Sequence, residues 1–239
     1  MKKYEILKDR AKEIRIDSKP IKVYRIRALK EFGDVRVGDI GGYVSSELNL
    51  NHNDDCWIYN DAIVCQGAIL RGNSKVYDRA RVYGSAFITG DVGIYHNARV
   101  FGNAIISKNV IIANKAKVYD SAEISEHAQI VDNAKVYDKA KVRGFSVVSG
   151  YAELCANADI YRSDDFTSFV DLSKELGGCY TVFKTSDLDV CIKYKHFVGC
   201  KEDFEKYCLP TRYELSSIEP YEYDALINMI DQCASGIFG

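Results

Sequence analysis

The sequence lacks the features that mark membrane proteins and secreted proteins. Its 239 residues contain no run of 18 or more apolar residues, so we predict no membrane-spanning segment. Residues 1–20 carry the positive charges of a signal peptide, but no apolar core follows those charges. We therefore expect the protein to stay in the cytoplasm in which it is made.

A strong charge of either sign is also missing. The chain has 32 basic and 34 acidic residues, which gives a formal net charge of −2. This near balance argues against strong, general binding of nucleic acid, which depends on an excess of basic residues. With 47% apolar and 28% charged residues, the composition is that of an ordinary globular protein.

Closely spaced cysteines and the common catalytic motifs are absent as well. The eight cysteines are separated by 7 to 89 residues, with no C-x2-C or C-x4-C pair. Because a zinc site usually takes two ligands from one turn, this spacing predicts no metal site, and we expect reduced, mostly buried thiols. No G-x-S-x-G motif, H-E-x-x-H motif or phosphate-binding glycine loop occurs.

What the sequence does contain is a period of six residues. From Ile58 onward every sixth residue is aliphatic, for eighteen positions without exception. The residue two places before each of them is small, except for Val92 and Val110. Neither helical spacing nor simple strand alternation explains this pattern. The aliphatic positions are Ile58, Val64, Leu70, Val76, Val82, Ile88, Ile94, Val100, Ile106, Ile112, Val118, Ile124, Ile130, Val136, Val142, Val148, Leu154 and Ile160.

A period of six predicts a short strand followed by a bend. The aliphatic side chain points inward from the strand, and the small side chain fits inside the corner. Three such units close one triangular coil of 18 residues, and successive coils stack at about 4.8 Å, the distance between neighbouring strands. Eighteen units make six coils. We therefore predict a mainly β fold in which residues 55–162 form a parallel β-helix.

The repeats resemble a known family. With KVYD at 75–78, 117–120 and 135–138, the pattern resembles the hexapeptide-repeat, left-handed β-helix family. The resemblance implies left-handed coiling and packing of chains into trimers. The stretch GDIGGYV to DDCWIYNDA (38–62) is also similar to the start of YdcK-type bacterial hexapeptide proteins, a group described as acyltransferases.

The segments on either side of the rod are expected to cover its ends, because an open solenoid exposes unpaired strand edges. Residues 1–54 are predicted to form an N-terminal β cap. Residues 163–239 lose the period and are predicted to form a small α+β C-terminal domain, with strands at 179–184 and 189–199.

Two helices are predicted in the C-terminal domain. The first, KEDFEKYCLP, is expected to end at Pro210, and the second is expected to run from Pro220 to Gly236. The sequence from YTVFKTSD to VGCKEDFEKY resembles the C-terminal domain of uncharacterised solenoid proteins from phages and prophages, which implies a phage or prophage origin and a host cytoplasm as the place of action.

One face of the predicted rod is the candidate ligand-binding site. Faces repeat every 18 residues, so one face carries a row of cations beside a row of aromatic rings. The two rows could simply be packing, in which stacked rings stabilise neighbouring strands. They could also bind an anionic, nucleotide-like ligand or an acidic partner, with stacking on the rings and ion pairs to the cations, or mediate self-association. We call these residues the strip: Arg81, Tyr83, Arg99, Phe101, Lys117, Tyr119, Lys135 and Tyr137.

A second face carries large apolar residues that point outward. Ile69, Phe87 and Ile105 form one row in the first three coils. Such a row is unlikely to face water, so we expect it to be covered by the N-terminal cap, by the C-terminal domain or by another subunit. A homotrimer is the expected oligomer.

The histidines supply the alternative function. Hexapeptide acyltransferases generally use one histidine as a general base and bind acyl-CoA along the rod, which implies His96 or His127 as the base here. Two departures argue against that alternative: the period is never interrupted by an active-site loop, and the family's cofactor-binding extension has no counterpart.

The sequence therefore favours a non-catalytic function. We expect an oligomeric binding or scaffold protein of phage or prophage origin, with no cofactor and no membrane association, that takes an anionic small molecule or a host protein. Countering a host defence would fit that origin. The alternatives are an acyl-CoA-dependent acyltransferase and a rod that only spaces its two ends.

Overall fold

A computed structural model describes residues 2–171, 178–214 and 220–238. The six-residue period forms a mainly β, three-sided parallel solenoid, as predicted. Before and within the solenoid lie β1 (Tyr4–Ile16), β2 (Lys19–Ala28), β3 (Ile40–Val44), β4 (Trp57–Ile58), β5 (Ile63–Val64), β6 (Ile69–Leu70), β7 (Lys75–Val76), β8 (Arg81–Val82), β9 (Phe87–Gly90), β10 (Gly93–Ile94), β11 (Arg99–Val100), β12 (Ile105–Lys108), β13 (Ile111–Ile112), β14 (Lys117–Val118), β15 (Glu123–Ile124), β16 (Gln129–Ile130), β17 (Lys135–Val136), β18 (Lys141–Val142), β19 (Val147–Val148), β20 (Glu153–Leu154) and β21 (Asp159–Ile160). After it come β22 (Phe166–Asp171), β23 (Gly178–Lys184), β24 (Val190–Tyr194), β25 (Phe197–Gly199), α1 (Lys201–Glu214) and α2 (Pro220–Phe238).

The solenoid has three faces, each a parallel sheet. Face I contains β3, β5, β8, β11, β14, β17 and β20; face II contains β6, β9, β12, β15, β18 and β21; face III contains β4, β7, β10, β13, β16 and β19. Face I therefore has seven strands, one more than the six predicted coils. The additional strand carries Val44, which pairs with Val64.

The first coil escaped prediction because its spacing differs from that of the others. Leu50 forms a parallel bridge with Leu70, so these two coils are 20 residues apart instead of 18. The two additional residues fall between Leu50 and Ile58, where the period of six is broken. The predicted division into 1–54, 55–162 and 163–239 stays a prediction, but the parallel pairing itself begins within 1–54.

The core is the column of aliphatic side chains that the period predicts. All eighteen predicted aliphatic positions, from Ile58 to Ile160, are fully buried. The small residues two places earlier are buried too, including Ser74 and Ser146. Each coil places three aliphatic side chains above those of the previous coil. Buried side chains therefore follow one another without a gap along the rod.

The corners require a special backbone conformation. From Ile58 to Leu154, the residue two places after each buried aliphatic residue of the period has a positive φ, as in Gly84 (+71°) and Asp120 (+54°). Glycine adopts this conformation without strain, and Asn and Asp adopt it more readily than most other residues. Neighbouring corners are also close together: a Cβ built on Gly102 would lie 2.7 Å from the backbone nitrogen of Asp120.

The N-terminal segment forms a long hairpin that bends. β1 and β2 pair antiparallel, with a register shift between Leu7 and Ala11, and β2 continues into face I through β3. Near its base, Tyr4 and Ile26 join the core of the rod. Beyond the register shift, Val23 belongs to a separate cluster on the outside of face I.

The C-terminal segment covers the other end of the same rod. β22 to β25 form an antiparallel sheet that packs against α1 and α2. Phe183 is fully buried in the core of the rod, and Thr185 forms a bridge with Ala158. The backbone N–H of Glu153 donates to Thr181 Oγ1 at 3.0 Å. The expected resemblance of this segment to phage proteins stays a prediction.

Both helices of the C-terminal segment continue beyond their predicted ends. The first was predicted to end at Pro210 but continues to Glu214, since a proline removes one helical hydrogen bond without always ending the helix. The second begins at Pro220, as predicted, but ends at Phe238 instead of Gly236, because a single glycine does not interrupt the helical hydrogen bonds. Neither described helix is long and apolar enough to cross a membrane.

The apolar row on face II is only partly covered within the chain. Ile69 and Phe87 are half-buried, but Ile105 is 45% exposed. Neither the hairpin nor the C-terminal sheet buries it. The predicted covering by another subunit stays a prediction.

Candidate functional site

The aromatic row of the strip is a continuous stack. Ring centroids are 4.8 Å apart from Tyr83 to Phe101, 4.8 Å from Phe101 to Tyr119 and 4.9 Å from Tyr119 to Tyr137, with interplanar angles of 2–3°. Each ring therefore turns its faces to its neighbours. Along the row only the ring edges and the phenolic hydroxyl groups are accessible, so no ring face is free to stack on a ligand.

The cationic row lies beside this stack. Arg81 pairs in register with Arg99, Arg99 with Lys117 and Lys117 with Lys135. Lys135 Nζ lies 2.5 Å from Glu153 Oε1. Among the residues that the structure describes, no carboxylate lies within ion-pair distance of the other three cations.

Face II shows that this arrangement is not a general property of the rod. There the first three positions of the corresponding row are apolar and the last three alternate in sign, with Lys141 Nζ 3.8 Å from Glu123 Oε2. Asp159 follows and accepts two hydrogen bonds of 2.7 Å from Arg143. Face II thus neutralises its charges internally, whereas face I keeps three cations in succession.

The hairpin closes one end of the strip. Its residues Ile16 and Val23 pack with Ile63 and Cys65, and the Tyr83 ring contacts this cluster. The outer face of the first ring is therefore occupied. A cavity of about 290 Å³ remains between the hairpin and the rod, lined by Lys12, Ile14, Asp61, Ile63, Arg79 and Arg81.

The C-terminal sheet closes the other end. Glu153 lies between Lys135 and the buried Lys193, whose Nζ is 3.6 Å from Glu153 Oε2. The Tyr137 hydroxyl lies 3.5 Å from the same Oε2 atom. A cavity of about 180 Å³ at this junction is lined by Glu153, Cys179, Thr181, Lys193 and Lys195.

Burial raises the pKa of the phenols of the strip. Desolvation raises the pKa of Tyr119 to about 12, with a smaller contribution from the charge of Glu153. Desolvation also raises the pKa of Tyr83 and of Tyr137. At neutral pH each phenol is therefore a hydrogen-bond donor beside a cation.

His96 lies at the corner between faces III and I, next to the cationic row. Its backbone N–H donates to Asp78 Oδ2 at 2.9 Å, and its Nδ1 accepts from the backbone N–H of Asn114 at 3.4 Å. An imidazole that accepts through Nδ1 carries its proton on Nε2 when neutral. Nε2 is then unable to accept a proton, so this corner contact opposes a general-base role.

His127 lies at a different corner, between faces II and III. Its ring stacks on Phe145, with centroids 4.6 Å apart and an interplanar angle of 3°. The Phe145 side chain is 77% exposed. The two histidines named by the sequence are therefore on separate corners of the rod, and only His96 borders the strip.

Three features of the region were not found by sequence reasoning. A second ring stack, Tyr59, Tyr77 and Tyr95, lies on face III with centroids 4.5 and 4.8 Å apart. Its 18-residue spacing was a readable signal. Lys193 and the hairpin lacked any such signal, because their docking on the rod does not follow the period.

No metal site is evident in the described part of the chain. Among residues 2–171, 178–214 and 220–238, no three His, Cys, Asp or Glu side chains gather closely enough to hold a metal ion. All eight cysteines are free, four of them buried.

Comparison with known proteins adds one relationship. No family model matches the chain. A segment of 59 residues is 36% identical to the uncharacterized acetyltransferase YdcK of Escherichia coli K12. The matched segment is 24% of this chain and 18% of that protein. Together with the solenoid fold, this similarity fits a hexapeptide-repeat β-helix.

Proposed function

We propose that the protein is a non-catalytic binding protein whose strip takes an anion that carries several negative charges. The observation that supports this proposal is the succession of Arg81, Arg99 and Lys117 on adjacent strands without a carboxylate partner among the described residues. The anionic small molecule predicted from the sequence is thus the favoured ligand.

The cost of that arrangement is an argument for function. Like charges on directly neighbouring strands destabilise a sheet, and each such pair costs up to about 1 kcal/mol. Face II avoids the cost by alternating Glu123, Lys141 and Asp159. A bound anion would relieve the repulsion on face I, so the row is less stable alone than it is with its ligand.

The cationic row and the aromatic row would contact the anion in different ways. The guanidinium groups of Arg81 and Arg99 can pair with anionic oxygens through two hydrogen bonds each. The phenols of Tyr83 and Tyr119 can each donate one hydrogen bond from the neighbouring row, whereas the Tyr137 hydroxyl faces Glu153. Both kinds of donor suit phosphate or carboxylate oxygens.

Binding of adenosine triphosphate by isothermal titration tests the proposal. We expect Arg99→Glu to weaken binding at least tenfold, because it removes one cation and places a repulsive charge at the centre of the row. Lys139→Glu is the matched control, since Lys139 is also exposed but lies beyond the corner toward face II. Equal affinity of the two variants, or no binding by the unaltered protein to any multivalent anion, would count against the proposal.

An acyltransferase is the second candidate, favoured by the similarity to YdcK. In that case His96 or His127 would be the base, and the cations of the strip would hold the phosphates of acyl-CoA; no ring face along the row is free for its adenine. Release of free thiol from acetyl-CoA over a panel of amines, lost in His96→Asn or His127→Asn, would establish this function. No release would exclude it for those acceptors.

The remaining predictions concern partners and place of action. We retain a homotrimer, a phage or prophage origin and action in the host cytoplasm as proposals, with a host protein as the alternative partner. Native mass spectrometry of the purified protein measures the number of subunits directly, and a monomer would reject the trimer.

A further inference from the structure

We infer that the ligand of the strip is a linear phosphate chain of limited length that lies along the axis of the rod. This inference rests on the proposed function and specifies its ligand. It follows from three properties of the strip: its repeat distance, the orientation of its rings and its closed ends.

The repeat distance favours a chain with closely spaced charges over an extended peptide. Each coil contributes one cation and one ring, and the rings recur at 4.8–4.9 Å. In an extended acidic peptide, side chains on the same side are roughly 6.6–6.8 Å apart, because successive residues rise about 3.3–3.4 Å. A peptide would therefore lose register within two coils. A phosphate chain carries a charge on every unit and can adjust its torsions to meet each cation.

The ring orientation excludes recognition by stacking. The interplanar angles of 2–3° show that the ring faces are used within the row. Ring edges carry partial positive charge, and the phenols of Tyr83 and Tyr119 are hydrogen-bond donors. Both features favour anionic oxygens over a planar base. A nucleoside attached to the chain gains no ring face to stack on along this row.

The closed ends limit the length of the chain. The hairpin packs against Tyr83 at one end, and the C-terminal sheet docks beside Tyr137 at the other. Glu153 adds a negative charge at the second end, where it already pairs with Lys135 and Lys193. The accessible cations are thus Arg81, Arg99 and Lys117, which span two steps between coils.

A series of phosphate chains tests this inference by isothermal titration at fixed, low ionic strength. The probes are inorganic phosphate, pyrophosphate, tripolyphosphate and longer linear polyphosphates of defined length. We expect the association constant to rise with each added phosphate until the chain fills the strip. For longer chains it should level off. Equal affinity for phosphate and tripolyphosphate would overturn the inference, as would a rise that continues over much longer chains.

A comparison of adenosine triphosphate with tripolyphosphate distinguishes recognition of the phosphate chain from recognition of the nucleotide base. We expect it to bind within about threefold of tripolyphosphate, since the rings offer it no face. A much tighter affinity for the nucleotide would show base recognition and would overturn the inference while leaving the proposed function standing. Failure of every anion to bind would instead reject the proposed function itself.

Two variants locate the chain on the strip. Arg81→Gln is expected to weaken tripolyphosphate binding about tenfold and to reduce its dependence on salt, because one ion pair is lost. Glu153→Gln is expected to strengthen binding of longer chains, because it removes the charge that closes the strip and frees Lys135. Lys139→Glu is the control for both. If neither variant changes binding, the chain lies elsewhere.

A melting curve of each variant separates loss of fold from loss of binding. Glu153 contacts both the rod and the C-terminal sheet, so its substitution can loosen that junction. A variant with an unchanged melting temperature is interpreted directly. If Glu153→Gln lowers the melting temperature, Arg81→Gln alone decides the question.

Discussion

Arg81 and Arg99 lie directly opposite each other on neighbouring parallel strands, with no carboxylate in ion-pair distance of either among the described residues. A rod that needed only stability would place opposite charges here, as face II does with Glu123 and Lys141. Under the proposed function, binding and stability are opposed at this point of the sheet, and substitutions are able to separate them.

Arg99→Glu is expected to stabilise the free protein. It converts two repulsive neighbours, Arg81 and Lys117, into two attractive ones, which is worth about 0.5–1 kcal/mol at low salt and less at high salt. Chemical denaturation at two salt concentrations measures the change. Lys139→Glu, with Ser121 and Asn157 as its neighbours in the next coils, should leave the free energy of unfolding unchanged. A destabilised Arg99→Glu variant would mean that the row is not repulsive.

The stability of the rod is expected to depend strongly on the volume of the side chains in its core. Ile112 is fully buried, whereas the adjacent Ile111 is 39% exposed. We expect Ile112→Ala to lower the free energy of unfolding by about 2–5 kcal/mol, through lost burial and the cavity left behind. Ile111→Ala should cost less than about 1 kcal/mol. Urea unfolding of both variants checks the difference, and similar losses would contradict the assigned inward and outward positions.

The corners are expected to tolerate substitution according to the space beside them. Gly102 and Gly150 both have positive φ, +68° and +65°. A Cβ on Gly102 would meet the backbone of Asp120 at 2.7 Å, whereas a Cβ on Gly150 would meet nothing within 4 Å. Gly150→Ala should cost about 1 kcal/mol from backbone strain alone. Gly102→Ala should cost clearly more in the same thermal melt, and an equal cost would show that the corner simply relaxes.

His52 should make the N-terminal end sensitive to acid. Its ring stacks on Tyr4 at 4.4 Å, its Nδ1 accepts from the backbone N–H of Lys3 at 3.2 Å, and its buried Nε2 has no partner in the described part of the chain. Desolvation lowers the pKa of His52 in the folded protein below 6.5. Below pH 6.5 the unfolded chain then binds a proton that the folded chain does not, so stability falls as the pH falls through 6.5 toward the lower, folded pKa.

Urea unfolding at pH 7.5 and pH 5.5 measures this effect. The unaltered protein should lose more stability on acidification than His52→Gln, which has no proton to bind. His127→Gln, at an exposed corner far along the chain, should behave like the unaltered protein. The same pH dependence with and without His52 would assign the acid sensitivity to other groups.

The sequence was sufficient to predict the regular coils of the rod but not the coil and the segments at its ends. The period of six follows from the inward residues alone, so Ile58 to Ile160 were placed correctly without any knowledge of long-range contacts. The first coil was missed because two additional residues hide it from the period. The pairing of Leu50 in this coil with Leu70 is visible only in the folded structure.

The candidate site divides in the same way. The strip followed from an 18-residue repeat, and its rings and cations are indeed neighbours. The closed ends depend on where the hairpin and Lys193 dock, and docking of non-repeating segments leaves no periodic trace. The repeat predicts the row of rings but not the direction in which each ring turns, so the stacking of the rings on one another was not foreseen.

If the strip binds a phosphate chain, its two closed ends and the 18-residue coil together set the length of chain that it accepts. The distance between hairpin and C-terminal sheet is set by how many coils separate them, and each coil is a self-contained unit of sequence. A duplicate of residues 105–122 inserted after Ala122 would add one strand to each face, including a second copy of Lys117 and Tyr119. Such a lengthened protein should accept longer phosphate chains before its affinity levels off. A change in the number of repeats would then alter the length of the ligand while each existing coil keeps its own contacts.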